Sequence, residues 1–176
     1  MDKYSFPLPK HLMKLYTQQH YSPFFPSAPP LPEMDGLAST RKDLTHHTIY
    51  TIDPEGCEDA DDGFSISENS LYVHIADPTT YFTASSQTFT DIMNNGVTQY
   101  PSLNKPHHMC PRPVVTQASL MNGHKPALTI QYDFDMDSEK LINIEHYFSY
   151  IMCMPETQLT YEEAINCNML NSNPHK

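Results

Sequence analysis

The chain has 176 residues, 39% hydrophobic and 18% charged, a balance that favours one domain with enough apolar material for a core. No run of about 18 uncharged apolar residues occurs, which excludes a membrane-crossing helix, and five glycines without heptads exclude collagen and coiled coil. Ten Lys and Arg against 21 Asp and Glu give a net charge of −11, a sign that repels nucleic-acid phosphates unless cations are held between them.

The opening MDKYSFPLPK has neither a basic start nor an apolar stretch, so no secretory leader is expected and the chain is expected to be cytoplasmic. Cys57, Cys110, Cys153 and Cys167 are widely spaced without a C-x-x-C, and are expected to be free thiols. Seven of the sixteen prolines fall in residues 7–32. Residues 1–40 therefore read as a Pro-rich arm, extended or irregular except for a short helix over 11–20, and residues 41–176 as the folded domain.

The domain opens with strand-like HTIYTID (47–53), then GFSIS (63–67) and LYVHIAD (71–77) around a Glu68-Asn69-Ser70 turn. In the third segment Leu71, Val73 and Ile75 alternate with Tyr72, His74 and Ala76, the mark of a half-buried strand. SSQTFTDIMNNG (85–96) reads as a helix, with Phe89, Ile92 and Met93 on one face, Ser85 or Ser86 as N-cap and Gly96 as stop. ALTIQYDFD (127–135) and LINIEHYFSYI (141–151) flank a polar MDSEK turn as a second hairpin. LTYEEAINCNML (159–170) carries Thr160 and Glu163 at capping-box spacing and reads as a helix. The predicted class is α/β (α+β), a mixed and largely antiparallel sheet with flanking helices.

Chemistry concentrates in TIDPEGCEDADDGF, residues 51–64. If the three strands at 47–53, 63–67 and 71–77 are antiparallel neighbours, Asp53, Asp59, Asp61 and Asp62 gather at one sheet edge, with Asp77 near them. Crowded carboxylates raise one another's pKa and call for cations. All-oxygen donors suit Mg²⁺, with Mn²⁺ as the alternative, and two such ions serve in-line displacement at a phosphodiester. A solvated acidic loop is the competing reading. An EF-hand is excluded, because its ligand positions fall on Ala60 and Asn69.

TIDPEGCEDADDGF followed by LYVHIADPTTYF (71–82) resembles the catalytic motif of the ribonuclease II family, the RNB domain, with its T-I-D…D-x-D-D-A core and H-I-A-D-[VP]-[ST]-x-[YW]. RKDL (41–44), QYP (99–101), TQASLMN (116–122) and TQLTYEEAI (157–165) resemble further family segments in the same order. The resemblance implies a Mg²⁺-dependent 3′→5′ exoribonuclease that hydrolyses single-stranded RNA to nucleoside 5′-monophosphates. Asp53, Asp59, Asp61 and Asp62 match the family's four metal-site and catalytic aspartates. Tyr100 matches an aromatic that stacks on RNA bases, and Tyr161 a tyrosine near the RNA 3′ end. Loop and helix-start packing are the plainer roles for these two tyrosines.

Ala60 and Gly63 depart mildly from the family pattern. The family's arginine-bearing second half has no counterpart in these residues, so the resemblance covers the amino-terminal half of an RNB domain. The implied protein is a truncated enzyme or one half of a split enzyme, with a complementing second half as partner. The alternative is an inactive relative acting as an RNA-binding or protein-interaction module. Among the basic residues, Arg41, Lys42, Lys105 and Arg112 are the ones expected near an RNA path. His107, His108 and Cys110 resemble a soft-metal cluster that lacks a second ligand group, and read as a polar loop. His74 reads as a strand residue facing polar neighbours.

Overall fold

A computed structural model describes residues 36–57, 59–100 and 107–166. The expected helix at 11–20, most of the Pro-rich arm, Lys105 and Cys167 lie outside the described residues. Seven strands are described: β1 (Lys42–Asp43), β2 (Thr51–Asp53), β3 (Asp62–Ser67), β4 (Ser70–Ala76), β5 (Gly123–Asp135), β6 (Lys140–Cys153) and β7 (Gln158–Thr160). Three helices accompany them: α1 (Gln87–Asn95), α2 (Arg112–Ala118) and α3 (Tyr161–Asn166). The main sheet runs β1-β6-β5-β4-β3, antiparallel throughout except for the β1/β6 pair, while β2 and β7 form a separate parallel pair. No described helix is long and apolar enough to cross a membrane.

Local signals account for several of these elements. The β3–β4 hairpin turns at Glu68, which takes a left-handed φ of 52°. Ser86 caps α1 by accepting from the Phe89 N–H at 3.1 Å, and Gly96 ends it in the left-handed region at φ 68°. The capping box forms as expected: the Thr160 N–H donates to Glu163 Oε2 at 2.8 Å and the Glu163 N–H to Thr160 Oγ1 at 3.2 Å. The helix it caps begins at Tyr161 rather than 159, because Leu159 belongs to β7.

Other expectations are corrected. The segment 47–53 is not a third antiparallel member of the main sheet. One antiparallel bridge, Tyr50 to Phe64, ties it to β3, and β2 pairs instead with β7. This parallel pairing across more than a hundred residues has no local signature. α2 is not among the expected elements, and Pro111 and Pro113 open it. They occupy the N-cap and first turn, where no amide donor is needed, and Val114 and Ala118 are buried behind them. β5 starts earlier than predicted and runs through Pro126, which is buried opposite Tyr150.

The face of β4 is inverted relative to its hydrophobicity. His74 is fully buried, whereas Ile75 is exposed, and Ile66 and Ile144 are exposed on that same outer face. The buried face is satisfied by a polar chain in which His74 bonds Ser65 and Thr129, each at 2.9 Å, and Thr129 bonds Ser149 at 2.6 Å. His74 therefore does face polar neighbours. Leu44, Ile49, Ala60, Leu120, Ala127, Ile151 and Cys153 form a hydrophobic core cluster.

Candidate metal centre

The acidic stretch links β2 to β3, and two features fix its path. Ala60 is fully buried, its N–H donating to Ser119 Oγ at 2.9 Å and its carbonyl accepting from the Leu120 N–H at 2.8 Å. The Ala76 N–H donates to the Asp61 carbonyl at 2.8 Å, holding the next residue against the end of β4. A small buried residue between acidic ones lets the backbone dock while the carboxylates stay outside. At the start of β3 a Cβ on Gly63 would lie 2.9 Å from the Tyr50 carbonyl, so glycine allows the chain leading into β2 to approach closely.

Asp53 ends β2 opposite Thr160, and Asp62 opens β3 opposite Ile75. Two of the carboxylates, Asp53 and Asp61, are perturbed. Burial raises the Asp53 carboxyl above its ordinary pKa, and the charges of Asp62 and Asp59 raise it further. Partial desolvation, then Asp59, Asp62 and Asp53, do the same to Asp61. Asp53, Asp59, Asp61 and Asp62 thus lie within electrostatic reach of one another around the β2–β3 connection.

Asp77 is not part of this group. Its carboxylate is buried against Arg41 at 2.6 Å and caps the turn Pro78–Tyr81 by accepting from the Thr79 N–H at 3.1 Å. The same ion pair removes Arg41 from any RNA path, since its side chain is 1% exposed. Lys42 lies on β1, the opposite edge strand from β3, with Nζ 3.5 Å from the Tyr147 ring centroid.

Tyr161 follows Thr160, the register partner of Asp53, and is 58% exposed. Tyr100 is 72% exposed and follows Gln99, which bridges to His107. Both rings are open to a ligand.

Among the described residues, no three His, Cys or carboxylate side chains stand in a geometry that encloses an ion as they are. The chemistry of the edge nevertheless fits a hard cation. Among the described residues, the buried side-chain polar atoms without a hydrogen-bond partner are Thr51 Oγ1, Asp53 Oδ2, Gln158 Nε2 and His108 Nε2. The first three belong to residues lining one cleft of about 170 Å³ between β2, β7 and the Pro54–Cys57 turn. A buried orphan carboxylate oxygen beside repelling carboxylates is a site short of positive charge. Thr51, Ser119 and Gln158 fall in segments that resemble the family's, TIDPEGCEDADDGF, TQASLMN and TQLTYEEAI, but none is singled out as a site residue. His108 belongs to the histidine pair read as a polar loop, and Asp59 Oδ2 lies 3.8 Å from its Nδ1.

The chain matches the RNB domain family over residues 41–175 and belongs to that family. It is 35% identical to the exoribonuclease 2 of Proteus mirabilis over 132 residues, covering 67% of this chain and 20% of that protein. It spans about a fifth of the length of the curated relatives it matches. The fold is that of Mycoplasma genitalium RNase R, solved in complex with ribose-methylated single-stranded RNA, at TM-score 0.65, 19% identity, and coverage of 82% of this chain and 23% of that one. It is equally that of yeast Ssd1, a pseudonuclease, at TM-score 0.69, 19% identity, and coverage of 86% and 19%.

Proposed function

We propose that this chain is the aspartate-bearing part of a Mg²⁺-dependent 3′→5′ exoribonuclease that hydrolyses single-stranded RNA to nucleoside 5′-monophosphates. The observation that carries the proposal is the electrostatic reach of Asp53, Asp59, Asp61 and Asp62 on one another in a chain of the RNB family. When bound, divalent cations supply the positive charge that activates water and stabilises the leaving oxygen. Asp53 and Asp62 reach the site from strand ends, Asp59 and Asp61 from either side of the clamped Ala60. Their role is to hold those cations against the RNA phosphate, while Tyr161 and Tyr100 offer exposed rings for stacking on bases.

Arg41 is locked to Asp77, so the chain lacks that cation as a phosphate clamp, and the net charge of −11 opposes RNA binding. A complementing half carrying basic groups is therefore part of the proposal. Losing one transition-state donor typically costs about 10²–10³ in rate. The likeness to the Ssd1 pseudonuclease supports a second reading, an inactive module that binds RNA or protein.

The experiment is Mg²⁺-dependent digestion of 5′-labelled single-stranded RNA by the chain, alone and with a separately produced RNB second half, using Asp61→Asn as the blank. Shortening from the 3′ end by the pair, with little by the chain alone and none by the blank, is the expected result. RNA that binds but is never shortened under any of these conditions supports the inactive module instead.

A further inference from the structure

We propose that the hydrogen-bonded row His47–Ser65–His74–Thr129–Ser149 is a proton-ordered switch: protonation of His47 reverses every bond in the row and moves the proton of a still neutral His74 from Nε2 to Nδ1.

The row is continuous. His47 Nδ1 lies 3.1 Å from Ser65 Oγ, which lies 2.9 Å from His74 Nε2. His74 Nδ1 lies 2.9 Å from Thr129 Oγ1, and Thr129 Oγ1 lies 2.6 Å from Ser149 Oγ. Ser65, His74, Thr129 and Ser149 sit on the neighbouring strands β3, β4, β5 and β6 and are fully buried, whereas His47, in the loop before β2, is half-buried. The row therefore meets water at its His47 end.

Counting protons fixes its direction. Each hydroxyl has one proton to give, and a neutral imidazole has one N–H. With no proton on His47 Nδ1, the four links fill in a single way. Ser149 donates to Thr129, Thr129 to His74 Nδ1, the His74 Nε2–H to Ser65, and Ser65 to His47. A charged His47 carries a proton on both nitrogens, so its Nδ1–H donates to Ser65. Ser65 then turns its own proton to His74 Nε2, the His74 Nδ1–H donates to Thr129, and Thr129 donates to Ser149. Were His74 to keep its proton on Nε2, the Ser65 oxygen would take two N–H groups and its own buried proton would have no acceptor within the row. The heavy atoms hold their places in both states, and no charge enters the sheet. A proton taken up in the loop before β2 is thereby registered on β6.

The titratable groups that face His47 are His46, with ring centroids 4.6 Å apart, Tyr72 of β4, also at 4.6 Å, and His74 beyond Ser65. Tyr147 lies behind Tyr72, with Lys42 Nζ 3.5 Å from its ring centroid. Burial, then the charge of His46, lowers the His47 pKa, while His74 resists protonation down to about 4. As pH falls, His47 charges first, and a window opens in which it is charged and His74 is neutral.

The test is nitrogen-15 NMR of the histidine rings of the full chain as pH is lowered from 7.5 to 5, with His74→Gln assigning the His74 signals. Such spectra tell which nitrogen of a neutral ring bears the proton. In the wild type the ratio of the Nε2–H to the Nδ1–H form of His74 is expected to swing by about tenfold or more, the factor that one unmade buried hydrogen bond implies. Its midpoint should coincide with the titration of His47. His46→Gln should keep the swing, and His47→Gln, which takes no charge, should abolish it. The wild type alone gives both titrations, so a folding defect in a variant leaves the comparison intact. A His74 that holds one tautomer in the wild type while His47 titrates, or that swings equally in His47→Gln, overturns the proposal.

Discussion

His74 Nε2 lies 2.9 Å from Ser65 Oγ, and this buried pair links β4 to β3 through side chains. With Thr129 on its other nitrogen, the ring is a neutral imidazole giving one hydrogen bond and taking one. Burial, then the nearby His47, lowers its pKa to about 4.

That shift sets a pH dependence. The unfolded ring takes its proton near pH 6.5, whereas the folded ring resists until about 4. The stability it contributes is complete above 6.5 and is lost as pH falls through this window, on the order of 3 kcal/mol in total. Urea midpoints from pH 7.5 down to 4.5 should fall steeply for the wild type and less for His74→Gln. Parallel curves for the two proteins would remove His74 as the cause.

Arg41 and Asp77 form a buried ion pair, so removing one partner leaves the other charge stranded. Asp77→Ala is expected to cost about 3 kcal/mol or more in chemical denaturation. Arg41→Lys should not keep wild-type stability, because one ammonium cannot serve Asp77, Thr80 and the Ala127 carbonyl together. A loss below about 1 kcal/mol for Asp77→Ala would show that the pair is solvated.

Gly63→Ala tests the close approach of the Tyr50 carbonyl. An added methyl at 2.9 Å from that backbone must push the two segments apart, for about 1–3 kcal/mol of destabilisation. Denaturation midpoints report it, and an unchanged midpoint would mean that the segment leading into β2 yields freely.

Legibility in the sequence followed the range of the interaction. Ser86 with Gly96 and Thr160 with Glu163 act over a few residues, and they marked α1 and α3 correctly. α2 carries no comparable mark, since Pro111 at its N-cap makes no side-chain hydrogen bond to the first turn. The burial of β4 was misread because His74 finds Ser65 on β3 and Thr129 on β5, and hydrophobic alternation is blind to such partners. At the acidic edge the carboxylates were legible as a run. Asp77 looked like one of them until Arg41, 36 residues earlier, was found holding it. The Ser119 clamp and the meeting of His108 with Asp59 are products of tertiary folding alone.

The central claim is that the four aspartates form a cation site, and thermal unfolding of the wild type and Asp61→Asn, with and without Mg²⁺, tests it most directly. Burial, then its neighbours' charge, raises the Asp61 carboxyl, so without metal the variant should melt at or above the wild-type temperature. Mg²⁺ should raise the melting temperature of the wild type in a saturable way, as ligand linkage requires, and leave the variant nearly unmoved. Equal Mg²⁺ shifts in both proteins, or none in either, would contradict the account.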